Sequence, residues 1–398
     1  MARLAGRARG RPVTAGAAAR VRLTEDVAAL VRDAVARRAP LRVAGRGQWL
    51  DAGPPTAPST PLALDALAGI IAYTPGDLTL TARAGTTLAD IAAATAEHDQ
   101  WLTLDPFGSD DGTIGATVAT ASAGPLGHAF GTPRDAVLGL EVVTGEGAII
   151  RTGGRVVKNV AGFDLTRLFT GSWGTLGVIT EVTVRLRARP EVDETWVIAL
   201  PHDAALAAAC RAAREAAIAP LAVEVVDAEL ASRLGLGGRT SLLVRLAGAA
   251  ASLRAQRDAL RPLGDAAAAP TTIWHALRTI EPPGSTTLRL SHLPDRIADT
   301  WRLAQPPEHQ RPLVLRHATP SRGIVRVIAG PGAEDAVTSL ALAAATNCTL
   351  IPERAPATLW SAAAQRMPNA TLAARLRRTF DPAAVLNPAG GSPPAPRA

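Results

Sequence analysis

The chain has 398 residues, 47% apolar and 19% charged, which is long enough for two cores and far from the composition of a disordered protein. Its formal charge of +7 does not make it a nucleic-acid binder, because the arginines are scattered without a basic block and aromatic residues for base stacking amount to 3%. Cys210 and Cys348 stand alone, which excludes a disulfide framework and cysteine-ligated zinc or iron–sulfur and fits a reducing cytoplasm, while apolar runs such as 204–209 fall well short of the roughly 20 residues that cross a bilayer.

Residues 1–20 carry Arg3, Arg7, Arg9, Arg11 and Arg20 among Ala and Gly, lack the apolar core of a secretory signal, and are expected to fray. A helix is expected from Thr24 as cap, with Glu25 and Asp26 in its first turn and Val27, Leu30, Val31 and Val35 on one face. Pro40 ends it, and the strand 41–44 runs into Gly45-Arg46-Gly47-Gln48. Successive backbone N–H groups converge on an anion most readily where no Cβ intervenes, so this loop can cradle a pyrophosphate. Two glycines also suit an ordinary turn, and Leu50 occupies the place of the third glycine of a dinucleotide fingerprint.

The run 79–88 alternates as a strand and leads into a helix reaching about His98, with Thr86 or Thr87 as cap. Beyond Asp105-Pro106-Phe107-Gly108, the segment from Gly112, Thr113, Ile114 and Gly115 through Thr120 and Ser122 to Gly124 is nearly all small residues. Such a segment suits either tight helix packing or a flat cofactor lying against the main chain. The stretch 131–139 is followed by a strand at 140–144 and a hairpin turn at Gly145 to Gly147. Lys158 is the only lysine among 42 basic residues, as if a compact ammonium were needed there. The turn containing Gly171, Gly174 and Gly177 then feeds a strand through Val178 and Ile179. From 191 to 345, strand-like runs (195–200, 241–246, 324–328) alternate with alanine-rich helices, and the segment 380–388 closes with Asn387-Pro388 before a Gly-, Ser- and Pro-rich tail.

Taken in order, these motifs, and above all the run 154–186, resemble the vanillyl-alcohol-oxidase-like (PCMH-type) FAD flavoproteins. That family includes the FAD-linked 2-hydroxyacid dehydrogenases and the GlcE-type FAD-binding subunits of bacterial glycolate oxidase. The resemblance implies an α+β fold: a two-subdomain FAD-binding domain over 21–190, an α+β cap domain with an antiparallel sheet over 191–345, and a segment 346–388 returning to the flavin domain, with 1–20 and 389–398 as disordered tails. It implies FAD contacts at Ala44, Gly45, Arg46, Gly47, Gln48, Pro106, Gly112, Thr113, Ile114, Gly115, Thr120, Ser122, Gly124, Lys158, Gly174, Gly177, Val178, Ile179 and Asn387. Backbone amides in two separate loops are expected to grip the diphosphate, and Lys158 to sit at the electron-rich edge of the flavin or to anchor the loop beside it. Phe163, Ala116 and Ser122 depart from the pattern. Covalent members tether the flavin through a histidine in the first glycine loop, where this chain has Gln48-Trp49, so FAD is expected to be held noncovalently.

Catalytic subunits of the 2-hydroxyacid dehydrogenases carry a Gly-Asp-Gly-Asn-x-His type segment that this sequence lacks, and its seven histidines show no metal-ligand spacing. His292 is the candidate base and Arg289 the candidate clamp on a substrate carboxylate; they can share a pocket only if the strand carrying them ends between them. Three readings follow: an accessory FAD subunit of a glycolate-oxidising complex, working with a catalytic FAD subunit and an iron–sulfur subunit; a self-sufficient oxidoreductase of a small 2-hydroxyacid; and a non-catalytic scaffold. A cytoplasmic location, peripheral to the inner membrane face through partners, goes with the first.

Overall fold

The structure, a computed structural model, describes residues 21–154, 164–344, 347–364 and 369–388. The expected tails at 1–20 and 389–398, and Lys158, lie outside the described residues.

The first helix spans Thr24–Arg37 and buries Val27, Ala28 and Val31. Thr24 is its first residue rather than its cap: its hydroxyl donates to the buried Glu141 carboxylate at 2.6 Å, and Leu23 caps the helix, its N–H donating to Asp26 at 3.2 Å. The strand Leu41–Ala44 pairs in parallel with Thr60–Ala63, and Leu41 also bridges Leu386. A five-stranded antiparallel sheet follows, in the order Ile70–Thr74, Thr79–Arg83, Val178–Arg185, Val137–Val143, Ile149–Gly153. Leu80, Ala82, Val182 and Val184 of this sheet form one core with Ile91 of the helix Leu88–Ala96 and with Ile114 and Val118 of the helix Ile114–Thr120. Thr87 caps the first of these helices, accepting the Asp90 N–H at 3.0 Å, while Thr86 bonds to Gly69.

The second lobe is an eight-stranded antiparallel sheet, in the order Ala266–Ala269, Val192–Ala199, Ser241–Gly248, Pro220–Val226, Val314–Thr319, Ile324–Ala329, Thr286–Ser291, Thr349–Arg354. Alternate residues face opposite sides of a strand. One face buries Val223, Val225, Leu242, Val244, Val325 and Val327 under the helices Leu206–Glu215, Ala250–Leu260, Ile297–Leu303 and Glu334–Ala344. The other is apolar at one end, beneath Trp274 and Leu277 of the helix Ile273–Thr279, and charged where His317 pairs across to Arg326 and Arg326 to Arg289. That charged part meets the first lobe.

The cap runs further than residue 345. Thr349–Arg354 pairs with Thr286–Ser291 as the edge strand, so the return begins with the helix Ala370–Phe380, whose Phe380 ring packs 5.2 Å from that of Phe169. Pro352 disguises this strand in the sequence, and an edge position with a register shift opposite Thr287 and Leu288 is where a sheet tolerates proline. Among the described residues, no helix is long and apolar enough to cross a membrane.

Candidate active site

A cleft of about 770 Å³, counting its open mouth, lies where the strand Leu41–Ala44 ends, and three walls converge on it. The first wall is the run from Arg42 to Leu50. Among the described residues, none of the five backbone N–H groups from Gly45 to Trp49 donates to a protein acceptor. Consecutive free amides in a turn form an anion-binding concavity, the arrangement a diphosphate requires. A Cβ at Gly45 would stand 2.3 Å from the Thr113 hydroxyl, and Gly47 holds φ +85°, so sterics and backbone conformation both select glycine. Arg42, not singled out from the sequence, lines the same cleft; its Nη2 donates to the Leu50 carbonyl at 3.2 Å, bringing a positive charge to the anion loop.

In the second wall, Gly112, Thr113, Gly115, Ala116, Ala119 and Thr120, several backbone amides are already used within the protein. The Ile114 and Gly115 N–H groups are taken by the carbonyls of Thr86 and Ala84, both at 2.9 Å, and that of Ala116 by the Thr113 hydroxyl at 3.3 Å. This segment therefore offers a flat face. Gly115 is needed for packing, since its Cβ would lie 2.6 Å from that of Ala84. Ile114 and Val178 are fully buried in the core and are not among the residues that line the cleft. Pro106, Ser122 and Gly124 shape the turn behind the wall: the Ser122 hydroxyl accepts the Phe107 N–H at 3.3 Å, and a Cβ at Gly124 would stand 2.1 Å from the Asp105 carbonyl.

The third wall is Trp173, Gly174, Gly177 and Ile179. Asn387 joins it to the first: its Oδ1 accepts the Val43 N–H at 2.8 Å and its Nδ2 donates to the Trp173 carbonyl at 2.7 Å. Ala44, Arg46 and Gln48 also line the cleft.

Beside the cleft, the charged face of the cap sheet closes on the loop carrying Asp105, Pro106 and Phe107. The Phe107 ring lies 5.3 Å from the His317 ring and 3.9 Å from the Arg326 guanidinium. His317, 2% exposed, meets the Glu224 carboxylate through Nδ1 at 3.0 Å, and Thr319 donates to the other Glu224 oxygen. Its Nε2, like Nη1 of Arg326, has no hydrogen-bond partner among the described residues. Across the seam Ser321 and His128 meet at 2.8 Å, and burial lowers the His128 pKa against the pull of Glu224.

The two residues proposed from sequence are not brought together. The strand ends at Ser291, as sharing a pocket required, but His292 folds back to accept the Leu293 N–H at 2.7 Å, while Arg289 turns toward Glu353 at 3.8 Å. Glu224 and His317 lie on different strands and were missed. The available signal was an ionisable residue inside an apolar strand, as in Ala222-Val223-Glu224-Val225-Val226, because such a group is buried only with a partner.

Burial pushes the Asp105 carboxyl up to about 7, against the Leu126 N–H it accepts at 2.9 Å and the charges of Arg278 and Arg245. The folded state thus holds a proton that the unfolded chain releases near pH ~4. Stability should fall as pH rises from about 4 to about 7 and level off above, by on the order of a few kcal/mol. Asp105→Asn should flatten that part of the denaturation profile; an unchanged slope would mean the carboxyl is ionised in the fold.

A family model described as an FAD binding domain matches residues 15–153. The chain is 41% identical over 162 residues to glycolate oxidase subunit GlcE of Escherichia coli, covering 40% of this chain and 46% of that protein. It is 35% identical over 207 residues to glycolate oxidase subunit GlcD of Bacillus subtilis, covering 52% and 44%. With a D-lactate dehydrogenase of Archaeoglobus fulgidus the identity is 33% over 180 residues, 45% of this chain and 40% of that one. These matches span less than half the length of each curated relative. Among solved structures, p-cresol methylhydroxylase with substrate bound superposes with a TM-score of 0.74 over 94% of this chain and 88% of its own, at 16% identity, a likeness of fold. The chain carries an FAD-binding domain, and FAD is its cofactor.

Proposed function

We propose that this chain is the FAD-binding subunit of a complex that oxidises glycolate to glyoxylate, serving assembly and electron passage beside a catalytic FAD subunit and an iron–sulfur subunit. The observation that carries the reading is the open amide loop from Gly45 to Trp49, in a chain 41% identical over 162 residues to a GlcE subunit. FAD supplies the redox chemistry when bound, and the chain's own residues bind and orient it. Free amides and Arg42 would hold the diphosphate, the small-residue wall would receive the flat part of the cofactor, and Gln48 in place of a tethering histidine leaves FAD noncovalent. On this reading the complex is cytoplasmic and meets the inner membrane face only through its partners.

A second reading, a self-sufficient oxidoreductase of a small 2-hydroxyacid, is favoured by one observation: the buried Glu224–His317 pair, whose free Nε2 could take a proton at the seam. One experiment separates them. The purified chain, mixed anaerobically with glycolate or D-lactate, is expected to keep its oxidised flavin spectrum, with reduction appearing only when the partner subunits are added. Bleaching by substrate in the chain alone would replace the first reading with the second. Denaturing the same sample should release the yellow colour into the supernatant; colour retained on the polypeptide would refute noncovalent binding.

A further inference from the structure

The loop that presents free amides to the cleft is held from outside the flavin lobe. Arg354, the last residue of the cap's edge strand Thr349–Arg354, donates from Nη2 to the Gln48 carbonyl at 2.9 Å, pairs through Nη1 with Asp51 at 2.8 Å, and lays its guanidinium 4.8 Å from the Trp49 ring centroid. Next to it, the Glu353 carbonyl accepts the Gly53 N–H at 2.8 Å. The run 48–53 is thus fastened by two consecutive residues of a strand some 300 positions away in sequence.

Arg354 is itself fixed from behind. Its Nε lies 3.3 Å from Glu281, which also reaches Arg326 at 3.1 Å, and Arg326 pairs with Glu353 at 2.8 Å and covers the Phe107 ring. Only 13% of the Arg354 side chain is exposed, so this is not a loose surface ion pair. Gln48 is also wedged on the other side, its Oε1 standing 3.1 Å from where a Gly112 Cβ would be. The geometry matters for the amides because the C=O and N–H of one trans peptide point in opposite directions. A Gln48 carbonyl drawn to Arg354 turns the Trp49 N–H away from the cap, and that N–H has no protein acceptor among the described residues.

We infer that Arg354 is a positioning residue for FAD: from the cap domain, it holds the Gly45–Trp49 loop with its amides turned to receive the diphosphate, so that cofactor binding and docking of the cap's edge strand are thermodynamically coupled. The inference rests on the cleft being the FAD site. Coupling of this kind is reciprocal. If removal of the clamp leaves the loop competent about one-tenth of the time, the apparent Kd for FAD rises about tenfold.

The test uses the full chain stripped of flavin and titrated with FAD by quenching of flavin fluorescence, with hydrogen exchange of the free and FAD-saturated protein as a second measurement. Arg354→Met should raise the Kd about tenfold. Arg354→Lys should recover only part of this, since an ammonium cannot reach the Gln48 carbonyl and Asp51 together with a planar fork. In the wild type, FAD should slow exchange across 349–354 as well as at 45–50; in Arg354→Met the protection of 349–354 should disappear while that at 45–50 persists at saturation. A merely structural role would lower the melting temperature of the flavin-free protein without altering this pattern. Unchanged affinity and retained protection in Arg354→Met would overturn the inference, whereas failure of the wild type to bind FAD would overturn the assignment of the cleft.

Discussion

Gly45→Val protein is expected to purify colourless, with FAD content below about one-tenth of the wild-type value. The substituted Cβ would stand 2.3 Å from the Thr113 hydroxyl and 3.2 Å from its Cγ2, in a side chain fixed as the cap of the helix Ile114–Thr120 and 1% exposed. Two walls of the cleft approach each other at this point, so relief of the clash must move the anion loop away from the second wall. Overpacking costs typically 1–3 kcal/mol in a closed core, but here the strain can be released by displacing a loop, so the loss should appear in cofactor affinity more than in stability. Circular dichroism should therefore remain close to wild type while absorbance in the flavin bands is lost. Gly76→Ala is the matched control, having no atom within 4 Å of its added Cβ and an ordinary backbone conformation. A Gly45→Val sample carrying FAD near one per chain would show that the diphosphate is held elsewhere.

Arg326→Met should be strongly destabilising. Arg326 is 2% exposed, pairs with Glu281 and Glu353, and covers Phe107, so its loss takes the shared cation from two largely buried carboxylates, leaving Arg354 beside Glu281 and the more distant Arg289 beside Glu353. Breaking a buried pair by removing one partner typically costs about 3–5 kcal/mol, and chemical denaturation at pH 7 should show a deficit of that order. The pH dependence has a definite sign. Burial alone would raise the Glu353 carboxyl, yet Arg326 and then Arg289 hold it below its ordinary value, so in the wild type it contributes stability above the unfolded-state pKa that is lost as pH falls. Without Arg326 the largest counterweight to burial is gone, so the folded carboxyl rises relative to the wild type and the variant loses less than the wild type as pH falls. Its deficit should shrink as pH falls toward about 4, near the ordinary glutamate pKa. A deficit independent of pH would mean that lost packing on Phe107, rather than the charges, accounts for the effect.

The parts legible in the sequence were those set by local chemistry. The glycine loop after 41–44, the capped helix from Leu88 and the hairpin at 145–147 each announce themselves through turn residues and alternation within a dozen positions. Less legible was what depends on contacts across the chain. Thr24 has the composition of a cap, but its hydroxyl bonds to Glu141, 117 residues away. Ile114 and Gly115 were expected to contact the cofactor, yet only the fold reveals that their amides are taken by Thr86 and Ala84. Glu224 shows in the sequence only as a lone charge in an apolar strand, and the partner that explains it, His317, lies 93 positions away, whereas His292 stood out in a strand-like run and proved to bond to its own neighbour. The cap boundary was misplaced for a related reason, since a proline in an edge strand looks like a break until the partner strand is known.

Asn387 has a consequence for the order of events in the cell. Its amide completes the first strand at Val43 and the turn at Trp173 simultaneously, a closure spanning 344 positions on one side and 214 on the other. A chain still emerging from the ribosome therefore lacks a finished cradle until Asn387 has been translated, long after the glycines of the anion loop.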